Sequence, residues 1–264
     1  MNILTLIDRW RILTKRQVKL KASYRLTTMT SLVSVVAGLL SYGLLGSTAV
    51  VSATSSTYGM SLAAYLVSGV AFSPIITSGF GMFNPYLTSA TVEDIMVTPI
   101  GLRQYLLASA SFTVATTLAS AAFSFAAATF LFRLGFSYDV PLLVTIVLLG
   151  IVSSIGLGFI GLGFQLLYKQ TNVLSWLLIT FTGLVGNMIV PVQVLPNALQ
   201  TASLLTPQYY FFTGVRIALG SDVAPVGLIL GGLALYALLL LGLGLFVLER
   251  SLLSIRLNGT HRWT

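Results

Sequence analysis

Six long apolar runs constrain this chain more than any other feature. They occupy about 27 to 47, 61 to 82, 104 to 132, 141 to 167, 172 to 191 and 224 to 248. Each is long enough for a spanning helix, which needs about 20 apolar residues. Only 8% of the 264 residues are charged and 56% are hydrophobic, whereas a soluble domain carries about a quarter charged residues, so most of the surface is expected to face lipid. The pattern predicts an all-α integral membrane protein: one domain, 1–264, with six transmembrane helices.

The charges that remain are unevenly placed. Lys and Arg number 14 against 6 Asp and Glu, a net charge of +8, and seven of the 14 lie between Arg9 and Arg25. Alternate connections then hold Arg103, Lys169 and the trio Arg250, Arg256 and Arg262, which makes twelve on one side, against Arg133 and Arg216 on the other. By the positive-inside rule both termini are cytoplasmic, in a multi-pass protein of the cell membrane, plasma or inner. A cleavable signal peptide is not expected, because the basic region is about 25 residues long and the following run exceeds an h-region. The cations flank spans instead of forming a face with aromatic readers, so nucleic acid is not an expected partner.

Several chemistries are excluded by what is missing. There is no cysteine, hence no disulfide, thiolate nucleophile or cysteine-ligated cluster. The single histidine, His261, stands in the C-terminal tail with no partner for a metal site or a Ser-His pair. No catalytic residue, metal or cofactor is assigned to this chain, and it is not expected to be an enzyme by itself. No Gly-x-x-x-x-Gly-Lys-Ser/Thr occurs. Gly156-Leu-Gly158-Phe-Ile-Gly161 does match the dinucleotide-binding pattern, but it sits inside an apolar run instead of between a strand and a helix. Gly156, Gly158, Gly161 and Gly163 are better read as a helix-packing seam, and Gly227 and Gly231 as a second.

Residues 1–25 read as an amphipathic interfacial helix. Ile3, Leu6, Ile7, Trp10, Leu13 and Leu20 fall on one face, with Asp8, Arg9, Lys15, Arg16 and Lys19 opposite. Trp10 and its neighbours would sink into the headgroup boundary, while Arg9, Lys15 and Arg16 meet anionic membrane lipid or a cytoplasmic partner. The plain alternative is a topology anchor and no more.

Two connections are more informative. In the loop at 88–103, Thr91 can cap a short helix with Glu93 and Asp94 in its first turn, and Pro99 forces Thr98 out of helical geometry. The stretch Thr91-Val-Glu-Asp-Ile-Met-Val-Thr-Pro, followed by Tyr105-Leu-Leu, resembles the first cytoplasmic loop of ABC transporter permeases of the type-2 exporter family. In 192–223, Pro196 can start a short helix, Pro207 interrupts it and Gly220 can end the next. Leu195-Pro, a second Pro at 207 beside Tyr209 and Tyr210, then Arg216, is similar to that family's outer segment between spans five and six.

The resemblance implies a half-transporter whose second copy, or a homologous permease, completes the membrane domain, with two cytoplasmic ATP-binding subunits that hold ATP and Mg. It assigns Glu93, Asp94, Ile95, Met96, Val97, Thr98 and Pro99 to a coupling helix at the ATPase contact. It also assigns short outer re-entrant helices, with Pro196, Pro207, Tyr209, Tyr210 and Arg216, to an outer gate. Tyr209 to Phe212 as a plain aromatic belt remains the alternative. Pro74, Thr77, Phe80, Thr180, Phe181, Asn187 and Met188 are nominated for the path. The expected function is ATP-driven export of a drug-like or lipid-like substrate from the cytoplasm or inner leaflet, with a lipid-linked glycan as the alternative cargo. The reading of another class, an ion-coupled secondary transporter or channel, would want mid-membrane carboxylates and an inverted repeat, and neither is legible.

Overall fold

A computed structural model describes residues 11–12, 14–16, 18–19, 23, 25–48, 60–83, 102–168, 180–181, 183–221 and 224–258. Its helices are α1 (Arg25–Thr48), α2 (Leu62–Gly81), α3 (Leu102–Phe132), α4 (Val140–Tyr168), α5 (Asn197–Leu204), α6 (Pro207–Ala218) and α7 (Val226–Asn258), with a 3-10 turn at Val192–Val194. No strand occurs among the described residues. Four of these helices, α2, α3, α4 and α7, are long and apolar enough to cross a membrane, so the chain is an all-helical membrane protein. The first apolar run folds as α1, whose apolar stretch, Val33–Ser47, is shorter. Most of the fifth run lies outside the described residues, as do residues 1–10 and 84–101, which include most of the loop at 88–103.

Local chemistry explains where the helices begin. The Ser61 hydroxyl accepts the Ala64 N–H at 3.2 Å and caps α2. The Asp139 carboxylate accepts the Leu142 N–H at 3.1 Å at the head of α4. Within α2, Pro74 has no N–H to donate to the carbonyl of residue 70. The Ser73 hydroxyl donates to that carbonyl, Val70 O, at 2.9 Å. In an apolar solvent such a replacement decides whether a proline is tolerated inside a span.

α2 is the central element. Of its apolar stretch 67% is buried, against 17% for α7, and it packs on α1, α3, α4 and α6. Successive helices run antiparallel: the end of α1 meets the start of α2, where Gly46 lies against Ala63, and α1 and α3 are therefore parallel, with Gly43 near the end of α1 meeting Phe132 at the end of α3. One apolar cluster, with Phe72, Ile75, Ile146, Phe211, Phe212 and Leu233, fills the end at which α6 lies. A second, with Met82, Phe83, Leu106, Phe159 and Leu248, fills the opposite end.

The glycines of α4 serve two partners. A Cβ on Gly156 would lie 2.5 Å from the Leu240 carbonyl carbon, and one on Gly163 would lie 2.6 Å from Val247, both on α7. On the other side Gly158 faces α2, where Gly79 in turn would bring a Cβ within 2.3 Å of Ser154 O. Close backbone approach replaces the hydrophobic drive that lipid does not supply. Gly227 and Gly231 differ: among the described residues nothing lies within 4 Å of a Cβ at either, so the packing expected of them finds no partner in the described structure. Gly156→Leu should therefore destabilise the purified protein by about 1–3 kcal/mol through overpacking, whereas Gly231→Leu should shift thermal unfolding little. Equal shifts would refute this packing.

Candidate functional site

Arg216 is the one charged residue buried in the core of the described structure, at 4% exposure. It lies on α6, which begins with Pro207 at its first turn and ends where Gly220 takes φ +100°. This helix buries both flanks, Phe211 and Phe212 on the bundle core and Val215 and Ala218 beside them. The aromatic belt reading is thereby corrected for Phe211 and Phe212, which are 0% and 2% exposed and turn away from any lipid surface.

The guanidinium is held by dipoles. Nη1 donates to Asn187 O at 2.5 Å, and Nη2 donates to Met188 O at 2.8 Å and to Tyr65 O at 3.3 Å. Its carbon stands 3.4 Å above the centre of the Tyr65 ring, within cation–π range. Residues 183–185 form the last helical turn of the fifth run, so Arg216 faces carbonyls just past a helix C-terminus, where a cation is favoured. Burial lowers the pKa of Arg216 to about 10, with Tyr65 acting in the opposite sense, and the group is charged at neutral pH.

Asn187 is the second member of the clamp. It adopts φ +61°, a left-handed conformation that Asn tolerates better than other non-glycine residues, and so turns the chain out of the helix. Its Oδ1 accepts from Tyr65 Oη at 2.6 Å and from the Val192 N–H at 3.3 Å, and its Nδ2 donates to Thr213 Oγ1 at 2.9 Å. Gly69 lets this turn lie on α2, since a Cβ there would stand 2.1 Å from Met188 O. Tyr65, Asn187, Thr213 and Arg216 thus tie α2, the end of the fifth run and α6 into one polar knot inside an apolar bundle.

The other nominated residues are dispersed. Pro196 precedes α5 at its N-cap position. Tyr210 donates to Leu204 O at 3.0 Å and packs on Tyr236, with ring centres 5.5 Å apart, and Tyr209 stacks edge-on against Tyr210. Pro74 and Thr77 are partly buried on α2, the Thr77 hydroxyl donating to Ser73 O at 2.8 Å, while Thr180 and Phe181 are exposed. The structure therefore gathers Asn187 and Met188 around Arg216 and leaves Pro74, Thr77, Thr180 and Phe181 apart from it. Lys15 and Arg16 are exposed. Arg9, Trp10 and Glu93 to Pro99 lie outside the described residues, as does the side chain of Phe80.

Tyr65, Gly69 and Thr213 are missing from the sequence reading. One signal could have found Tyr65: it is the one tyrosine in the second apolar run, and buried tyrosine needs a hydrogen-bond partner. No protein-family model matches the chain, and no curated protein sequence matches it.

Arg216→Ala leaves the carbonyls of Asn187 and Met188 without their buried donor and removes a third bond to Tyr65 O, and should cost about 3–5 kcal/mol, since a buried acceptor left unmade costs about 1–3 kcal/mol. Tyr65→Phe keeps the ring under the cation and removes one hydrogen bond, for about 1 kcal/mol. Chemical unfolding of the two variants in detergent checks the ratio; comparable losses would remove Arg216 from the centre of the knot.

Proposed function

We propose that this chain is the membrane subunit of an ATP-driven exporter of the type-2 ABC permease kind. In this reading it forms a path and a gate, and partner ATPases supply the energy. The observation that carries the proposal is the unit built by residues 187–221. The stretch that resembles the family's outer segment folds as two short helices, each preceded or opened by a proline. Its arginine links them to α2 and to the end of the fifth run. A segment so joined follows any rocking of α2, which is what an outer gate requires.

The charge distribution supports the orientation. The antiparallel order puts the backbone positions of Arg25, Arg103 and Arg250 at one end of the bundle and Arg133 and Arg216 at the other. With the richer end in the cytoplasm, the loop carrying Glu93 to Pro99 also faces the cytoplasm, available to an ATP-binding subunit with its ATP and Mg. Two permease chains, identical or homologous, and two ATPases complete the transporter. Closure of the ATPases pushes on the coupling helices and rocks the paired bundles. The cargo is a drug-like or lipid-like molecule entering from the bilayer, since the described interior is mainly apolar.

Coexpression with the ATP-binding subunit should give a stable complex whose ATPase activity falls several-fold on Glu93→Lys, measured after reconstitution in proteoliposomes. Transport that persists with no ATPase present would overturn the proposal.

A further inference from the structure

A tyrosine in a membrane helix belongs at the headgroup level, where the hydroxyl end of its ring is wet. Tyr236 is not there. It stands fourteen positions after Asp222 and thirteen before Glu249, the two charges that bound the last apolar run. From Val226, the first residue of α7, it is about 15 Å along the helix at 1.5 Å per residue, which is half of a hydrocarbon core about 30 Å thick. Tyr210 of α6 lies at the same level: a Cβ on Gly232, one turn before Tyr236, would stand 2.3 Å from its ring, and the centres of the Tyr210 and Tyr236 rings are 5.5 Å apart. The Tyr210 hydroxyl holds Leu204 O at 3.0 Å, which satisfies that carbonyl at the end of α5. The Tyr236 hydroxyl reaches the same oxygen only at 3.4 Å, long for a bond between two oxygens. The place is open to the side: both tyrosines are partly exposed, and Leu204, Leu205 and Leu239 around them are exposed. A weakly held O–H facing hydrocarbon at mid-depth is costly, and a polar group kept there calls for a function. As a donor it fits an acceptor oxygen, and the two tilted rings beside it offer faces and edges to another aromatic ring. A phospholipid carries its ester oxygens near the headgroups, at the wrong depth, so the occupant is a molecule that dissolves in the middle of the bilayer.

We propose that Tyr236 and Tyr210 form a lateral binding site, open to the bilayer between α5 and α7, for a flat aromatic molecule carrying a hydrogen-bond acceptor such as a ketone or quinone oxygen. Tyr236 donates to that oxygen, while Tyr210 keeps Leu204 O and supplies an aromatic wall. As cargo this ligand rests on the exporter reading; as a bound molecule it does not. The test therefore measures binding with no ATPase present, so that a failure of the site is distinguishable from a failure of that reading.

The full chain in lipid nanodiscs is irradiated with benzophenone, a ketone that crosslinks to neighbouring C–H groups, and the adducts are mapped by peptide mass spectrometry. Saturable labelling is expected beside Tyr236 on α7 and Leu204 on α5. The lipid-facing stretch of α3 around Phe130, 85% exposed, serves as the internal measure of simple partition into the bilayer. Fluorenone and fluorene, which share one shape and differ by the carbonyl, are then compared as competitors. One neutral hydrogen bond is worth about fivefold in affinity, so fluorenone should suppress the Tyr236 adduct at about fivefold lower concentration. Tyr236→Phe keeps the ring, removes the donor and should bring the two competitors within about twofold. Tyr210→Phe removes a hydroxyl from the same cluster and should leave the preference for fluorenone in place. Leu239→Trp keeps both hydroxyls but crowds the face one turn past Tyr236, and should reduce labelling there to the level of α3. Equal potency of the two competitors on the unaltered chain, a preference for fluorenone that survives Tyr236→Phe, or labelling beside Tyr236 no denser than on α3 would overturn the site.

Discussion

A guanidinium shielded from water must find acceptors, and the acceptors of Arg216 are backbone carbonyls on two other segments. Tyr65 O lies inside α2, but Asn187 O and Met188 O in a continuous helix would already be accepting from the N–H four residues on. Asn187 O and Met188 O are open to Arg216 because the helix of the fifth run stops there and the chain turns through a left-handed residue. The rest of the arrangement follows from that interruption. Asn187 makes the turn and spends its amide on Tyr65, Val192 and Thr213. Gly69 removes the side chain that would hold the turn away from α2. The cation and the broken helix are thus each the reason the other is tolerable in an apolar bundle.

The spans around this knot are held by a different principle. Burying a leucine against lipid gains little over burying it against another helix, so association depends on close packing and on hydrogen bonds between helices. α4 shows both devices. Its glycines admit α7 on one side and α2 on the other, and the Ser251 hydroxyl of α7 donates to Gly163 O at 3.0 Å. α2 shows the complementary problem: it carries Pro74 and uses Ser73 to cover the carbonyl that the proline leaves open. The small polar residues that look idle in a hydropathy profile are therefore placed where helices touch or where a backbone group lacks a partner.

Much of this was legible in the sequence, and the limits have physical causes. Long apolar runs declare themselves because membrane thickness sets a minimum length, so α2, α3, α4 and α7 could be read from composition. Proline and glycine fix backbone geometry locally, which is why Pro196, Pro207 and Gly220 mark the short helices α5 and α6. Contacts between distant segments leave no such mark. The sequence marks Arg216 but not its partners, because nothing near it in sequence reveals that Tyr65 and the end of the fifth run converge on it. Gly227 and Gly231 have the spacing of a packing motif and no neighbour among the described residues, since spacing specifies a helix face and says nothing of what lies against it.

The two short helices differ in how firmly they are attached, and the difference follows from the kinds of contact they make. α6 combines nonpolar packing on three elements with a charged hydrogen-bond network whose geometry is directional, so displacing it separates a buried cation from its acceptors. α5 has one buried residue, Ser203, and leaves Leu204 47% exposed. Its tie to the bundle is two tyrosine hydroxyls, Tyr210 at 3.0 Å and Tyr236 at 3.4 Å, donating to the single carbonyl of Leu204. Neutral bonds at an exposed site are cheap to exchange for others. Of the pair, α5 is the element that can shift while the fold stays intact, and α6 is the post against which it shifts. Since α6 is keyed to α2 through Arg216, the opening left by a displaced α5 depends on the stance of α2, which couples the least anchored part of the molecule to its most buried helix.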